Sequence, residues 1–148
     1  NMTQKIFITS DHAGFCLKTA LVQYLTEKGF DVMDFGPDTD AQSVDYPLFA
    51  QKLCTALKAE PEAKGIAICG SGIGMSIAVN RFSFIRGALV YTPEAAKLSR
   101  QHNNANVLCL GARMTDFEQA KILVDTFLTT PFDGGRHERR VLELGDMK

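Results

Sequence analysis

Residues 65–74 read GIAICGSGIG, an apolar run, Gly65-Ile66-Ala67-Ile68-Cys69, that passes without a break into Gly70-Ser71-Gly72-Ile73-Gly74. A short isoleucine-rich run stopped by glycine reads as a strand buried on both faces. The glycines after it read as the turn that opens a helix. The same unit recurs on both sides. Upstream, residues 5–10 (KIFITS) form a strand, and residues 15–28 carry Leu17, Leu21, Tyr24 and Leu25 at helical spacing before Gly29. Residues 30–35 (FDVMDF) form a second strand closed by Gly36-Pro37, and residues 47–59 a helix with Pro47 suited to its first turn. Downstream come a helix over 75–80, a strand over 85–90, a helix over 93–101 and a strand over 106–110. A helix over 116–128, with Ile122, Leu123 and Phe127 inward, precedes a last one from Arg136 to about Leu144. Strands alternating with helices predict the α/β class: a three-layer α/β/α domain on a five-stranded parallel sheet, doubly wound.

The 148 residues are close to one ordinary domain of about 150, with no linker or repeat, so residues 2–148 read as a single domain. Apolar residues at 45% and charged residues at 22% exclude disordered and fibrous classes. A formal charge of −1 argues against nucleic acid and against an anionic membrane surface as partners, so any anion site must be local. No apolar stretch reaches membrane-spanning length and no charged-then-apolar leader opens the chain, which predicts a cytoplasmic protein. Asn1 ahead of Met2 reads as the remnant of an expression tag. Cys16, Cys54, Cys69 and Cys109, with His12, His102 and His137, show no metal-ligand spacing, so no metal is expected.

In an open parallel sheet the ligand sits beyond the carboxyl ends of the strands. That directs attention to Asp11 and His12, Gly70–Gly74, Tyr91 and Thr92, and Gly111–Arg113. Backbone N–H groups at the glycine loop offer an anion or oxyanion nest. Met75 stands where a dinucleotide fingerprint would need glycine, and no lysine follows as in a phosphate loop, so no cofactor is expected. Cys69 ends its strand against that nest, a setting that favours a thiolate nucleophile or base. Cys54, mid-helix, and Cys109, mid-strand, read as small buried hydrophobes, and Cys16 as structural. Asp11 caps the first helix or lines the crevice with His12; His102 ends the fourth helix. Arg136 and Arg140, spaced i,i+4 just after Gly134-Gly135, share a helix face, and Arg113 adds a third guanidinium suited to phosphate. A thiol, histidines, an acid, an amide nest and three arginines in a neutral chain fit a small-molecule phosphate enzyme without a cofactor.

SDHAGF (10–15), SVDYP (43–47), ICGSGIG (68–74), SRQHNNANVL (99–108), LGAR (110–113) and GGRHERR (134–140) together resemble the type B ribose-5-phosphate isomerase family, which includes galactose-6-phosphate and allose-6-phosphate isomerases. The motifs stand in the same order from the first strand to the last helix. The resemblance implies a flavodoxin-like, Rossmann-like sheet and a metal-free, cofactor-free aldose–ketose isomerase, built as a homodimer or homotetramer with sites shared between subunits. It implies Cys69 as general base and His102 as the acid that opens the sugar ring. It implies Asp11 and His12 as ligands of the sugar and phosphate ends, and Tyr46 as a wall of the site. Gly70, Ser71, Gly72, Ile73 and Gly74 would hold the enediolate oxygens, with Asn103 beside them, and Arg113, Arg136 and Arg140 would clamp the phosphate. Ser71 stands where the family often has threonine, which keeps the hydroxyl.

Two other readings compete. A non-enzymatic flavodoxin-like nucleotide-binding module would leave Cys69 dispensable. A galactose-6-phosphate isomerase divides its site residues between unlike subunits, whereas this chain carries the cysteine, the histidines and all the arginines, which favours a self-sufficient homo-oligomer acting on a pentose phosphate.

Overall fold

The computed structural model describes residues 3–147; the tag remnant expected at Asn1 lies outside them. Eleven elements alternate: β1 Lys5–Ser10, α1 Phe15–Glu27, β2 Asp31–Asp34, α2 Tyr46–Ala59, β3 Lys64–Cys69, α3 Ile73–Val79, β4 Gly87–Leu89, α4 Pro93–Gln101, β5 Val107–Gly111, α5 Phe117–Thr129 and α6 Arg136–Gly145. The five strands are all parallel, in the order β2-β1-β3-β5-β4. The expected α/β/α domain is therefore present, with one refinement. A flavodoxin-like sheet runs 2-1-3-4-5, whereas here β5 sits between β3 and β4.

Helices sort by the direction of each connection, as the rule of consistent crossover hand requires. Connections stepping toward β2 or back from β4 place α1 and α4 on one face with α5; those stepping the other way place α2 and α3 together on the second face. Side chains alternate between the faces at the period of two. Ile6, Ile8, Ile66, Ile68, Leu108 and Leu110 pack under α1, α4 and α5. Phe7, Ala67, Cys69, Val107 and Cys109 pack under α2 and α3. Cys54 and Cys109 are fully buried there, as expected, and burial pushes the Cys54 thiol up to about 12 and the Cys109 thiol up further.

Some boundaries move for local reasons. β4 is three residues rather than six, because Arg86 gives its N–H to the Asn106 side chain instead of a ladder partner. α3 begins at Ile73, earlier than expected, because Gly72 adopts a left-handed conformation (φ 83°) that turns the chain straight into the helix. On α5 the inward stripe is Ala120, Leu123, Val124 and Phe127, at i, i+3, i+4 and i+7. Ile122 falls off that stripe and is 49% exposed, contrary to the inward position expected from sequence.

Candidate active site

Chemistry-bearing residues gather at the carboxyl ends of the central strands β1, β3 and β5. Asp11, directly after β1, is buried; its Oδ1 accepts from the Gly14 N–H at 3.0 Å, so it caps the turn into α1. It also lines, with His12, Val44, Asp45 and Tyr46, a cavity of about 600 Å³, so the two sequence readings of Asp11 hold together. His12 Nδ1 accepts from the Val44 N–H at 3.1 Å. That bond leaves the proton of a neutral ring on Nε2.

Cys69 ends β3, lies on the face covered by α2 and α3, and is only 5% exposed. Its register partner on β5 is Gly111. The Arg113 guanidinium lies over Gly70 so closely that a Cβ there would stand 2.9 Å from Nη1. The Tyr46 ring covers Gly74, where a Cβ would lie 2.8 Å from Cζ. Ser71 Oγ accepts from the Ile73 N–H at 3.2 Å, so the hydroxyl braces the loop itself. Met75 is fully buried between the sheet and the helices above it, at the position where a dinucleotide fingerprint has the glycine that lets helix and strand pack closely.

Two residues at this pole make contacts that the sequence reading did not assign to them. Asp45, the residue before α2, lines the His12 cavity. Tyr91 donates from its hydroxyl to the Ser71 carbonyl at 2.7 Å. Gly111 has room for that carbonyl only because it lacks a side chain. In a trans peptide C=O and N–H point opposite ways, so fixing the Ser71 carbonyl against β5 fixes the Gly72 N–H in the opposite direction. Tyr91 stood among the residues flanking the strand ends, but no spacing motif marks this bond.

The other predicted residues lie elsewhere. His102 is the C-cap of α4 and Asn103 follows it. Asn103 lines a cavity of about 670 Å³ with Arg86 and Ser99, at the amino ends of β4 and β5. The α5–α6 link is tied to the same end: Asp133 donates its N–H to the Gln101 carbonyl at 3.0 Å, and α6 follows with Arg136 and Arg140. The length of β5, five residues at about 3.3 Å each, separates the two groups. Within one chain Asn103 therefore does not stand beside the glycine loop, and His102, Arg136 and Arg140 do not meet Cys69. A helix returning to a parallel strand delivers its last residues to the strand's amino end.

His102 and His137 stack, centroids 4.3 Å apart and planes 15° apart, and with Asp133 they offer three ligand-type atoms within 4.8 Å of one another. Nearly parallel rings send their in-plane lone pairs side by side, whereas one cation needs them to converge at about 2.0–2.1 Å. Sequence spacing gave no hint of this cluster, since the histidines belong to different helices.

The model of the ribose/galactose isomerase family matches residues 6–144. Ribose-5-phosphate isomerase B of Escherichia coli is 43% identical over 138 residues, covering 93% of this chain and 92% of its own. The crystal structure of a ribose 5-phosphate isomerase from Thermotoga maritima superposes with a TM-score of 0.95 at 48% identity, covering 99% of this chain and all of that one. Ribose-5-phosphate isomerase B from Mycoplasma genitalium, solved with bound ribulose 5-phosphate, superposes with a TM-score of 0.93 at 41% identity, covering 99% and 97%.

Proposed function

The chain belongs to the ribose/galactose isomerase family, and from that premise we propose that it interconverts ribose 5-phosphate and ribulose 5-phosphate by proton transfer through an enediolate. The observation that carries this reading is Cys69: a near-buried thiol at a strand end, under a glycine loop whose first residue is covered by the Arg113 guanidinium. The thiolate moves a proton between C2 and C1 of the open-chain sugar. Negative charge then develops on the sugar oxygens, and fixed N–H donors of the glycine loop meet it without reorganising, the Ile73 N–H being already given to Ser71 Oγ. Asp11, His12 and Tyr46 wall the cavity that receives the sugar.

Arg136, Arg140, His102 and Asn103 complete the site from a second copy of the chain. The support is topological, because one chain holds them at opposite ends of its sheet. Exposed apolar side chains stand near both groups: Tyr46, Leu48, Ile73 and Ile77 at the first, Leu142 and Leu144 on α6. In the shared site Arg136 and Arg140 grip the phosphate with Arg113, Asn103 contacts the sugar oxygens, and His102 protonates the ring oxygen so that the furanose opens. Phosphate binding remote from the reacting carbons holds the flexible open chain in place. No helix among the described residues is long and apolar enough to cross a membrane; the similarity to enzymes of sugar-phosphate metabolism is what supports a cytoplasmic place of work.

An isomerase assay on ribose 5-phosphate, allose 6-phosphate and galactose 6-phosphate in parallel, with EDTA present, tests the assignment. The highest kcat/KM is expected for ribose 5-phosphate, undiminished by EDTA; a higher value for a hexose phosphate moves the substrate up by one carbon, and loss in EDTA ends the metal-free reading. In the same assay His102→Asn should lose most activity on cyclic ribose 5-phosphate. Equal loss on ribulose 5-phosphate, which has no ring to open, would assign His102 another task. Tyr91→Phe removes only the hydroxyl that orients the Ser71–Gly72 peptide. One hydrogen bond of about 0.5–1.5 kcal/mol predicts a kcat about 2- to 12-fold lower at unchanged KM, and an unchanged kcat would show the loop holds itself.

A further inference from the structure

His137 has no part in the chemistry above, yet its imidazole lies flat against that of His102, 4.3 Å between centroids and 15° between planes. The chain is fastened to bring the rings together. Arg100 Nε donates to the Thr130 carbonyl at 3.2 Å and the Asp133 N–H to the Gln101 carbonyl at 3.0 Å, which lays the α5–α6 link across the end of α4. Gly134 and Gly135, both at positive φ (66° and 55°), then turn the chain so that α6 begins beside His102. The His137 N–H closes that turn on the Gly134 carbonyl at 3.1 Å.

We propose that His137 is a positioning residue, whose flat ring holds the His102 imidazole in one plane and joins the ring-opening acid to the arginine clamp of α6. The proposal rests on the reading of His102 as that acid. His102 sits just past the last turn of α4, half-buried, where its side chain has rotamers to lose. Proton delivery to a ring oxygen depends on the direction of one N–H, and small misplacements of a reacting group are costly. His137 stands directly after Arg136 and three residues before Arg140. A phosphate that draws the two guanidiniums in therefore carries the stacked ring, and His102 with it.

The charges around the stack agree with this division of labour. Protonation of His137 is disfavoured, first by partial desolvation, then by His102 and Arg136 and, more weakly, by Arg140, with Asp133 opposing. Two stacked imidazoles also resist carrying two protons.

Two variants separate a ring that positions from a ring that reacts. His137→Phe keeps a flat ring and removes both nitrogens; His137→Ala removes the ring. The alanine enzyme is expected to lose about tenfold or more in kcat on ribose 5-phosphate with KM within about twofold, while the phenylalanine enzyme stays within about threefold of wild type. The His102 Cε1–H resonance should keep a ring-current displacement in His137→Phe and move to an ordinary imidazole position in His137→Ala. If phenylalanine is as damaging as alanine, His137 acts through its nitrogens and the proposal is wrong. It is equally wrong if alanine leaves kcat unchanged while His102→Asn is inactive. A fully active His102→Asn enzyme would instead overturn the acid reading itself, whatever the resonance shows of the stack.

Discussion

Cys69→Ala should leave an enzyme that binds sugar phosphate and does not turn it over. The thiol is used only when the carbon-bound proton moves, so its loss falls on kcat rather than on KM. General bases contribute about 10²–10⁴-fold, and the residual rate should lie that far below wild type. Cys54→Ala and Cys109→Ala provide the contrast, since both thiols are fully buried and neither reaches the cavity at the strand ends. They should lower the melting temperature and spare kcat. A Cys69→Ala enzyme retaining more than about a tenth of wild-type kcat would remove the thiol from the chemistry.

Mixing two dead enzymes should produce a live one. Arg136→Ala/Arg140→Ala removes the clamp from the amino end of the sheet; each lost charged hydrogen bond costs about 1.5–3 kcal/mol, roughly 10- to 150-fold in kcat/KM. Cys69→Ala removes the base from the carboxyl end. In a two-fold dimer with shared sites, one site of every hybrid pairs an intact base with an intact clamp, and the other carries both defects. Free exchange makes about half the dimers hybrid, so about a quarter of wild-type activity should return. Mass spectrometry of the mixture first establishes that subunits exchange. Hybrids without activity would place the clamp and the base in the same chain, against the separation seen across β5.

The layout of strands and helices is legible in the sequence because buried parallel strands are unbroken apolar runs and glycine or proline ends most of them. Where burial and strand pairing part company, legibility falls: Ile85 and Val90 are buried like strand residues, but only Gly87–Leu89 pair at the sheet edge. Lys18 is a sharper case. Its charge argues for the surface, yet it is 1% exposed, paired with Asp34 at 2.7 Å and packed over the Phe15 ring. Only the arrival of β2 beside α1 makes that burial tolerable. At the site, Asp11, Cys69 and the glycine loop are legible from their positions directly after strands. His102 and Asn103 follow a helix and precede a strand, which assigns them to the opposite end of the sheet, but a motif lists residues without saying which end they occupy. The contacts of His137 and Tyr91 are illegible for a different reason: a ring stack and a bond to a backbone carbonyl join elements distant in sequence.

The position of β5 also sets an order of events during synthesis. Residues 5–69 supply β1, β2 and β3 and can pair as a three-stranded sheet, but the free edge of β3 cannot be closed by the next strand made. It waits for residues 107–111, which wedge in between β3 and β4 after α3, β4 and α4 have emerged. Until then the strand that bears the thiol presents unpaired N–H and C=O groups along one side, the condition under which chains pair with the wrong neighbour. Late insertion of a central strand thus leaves the edge beside the reactive centre open until every element but α5 and α6 has been made.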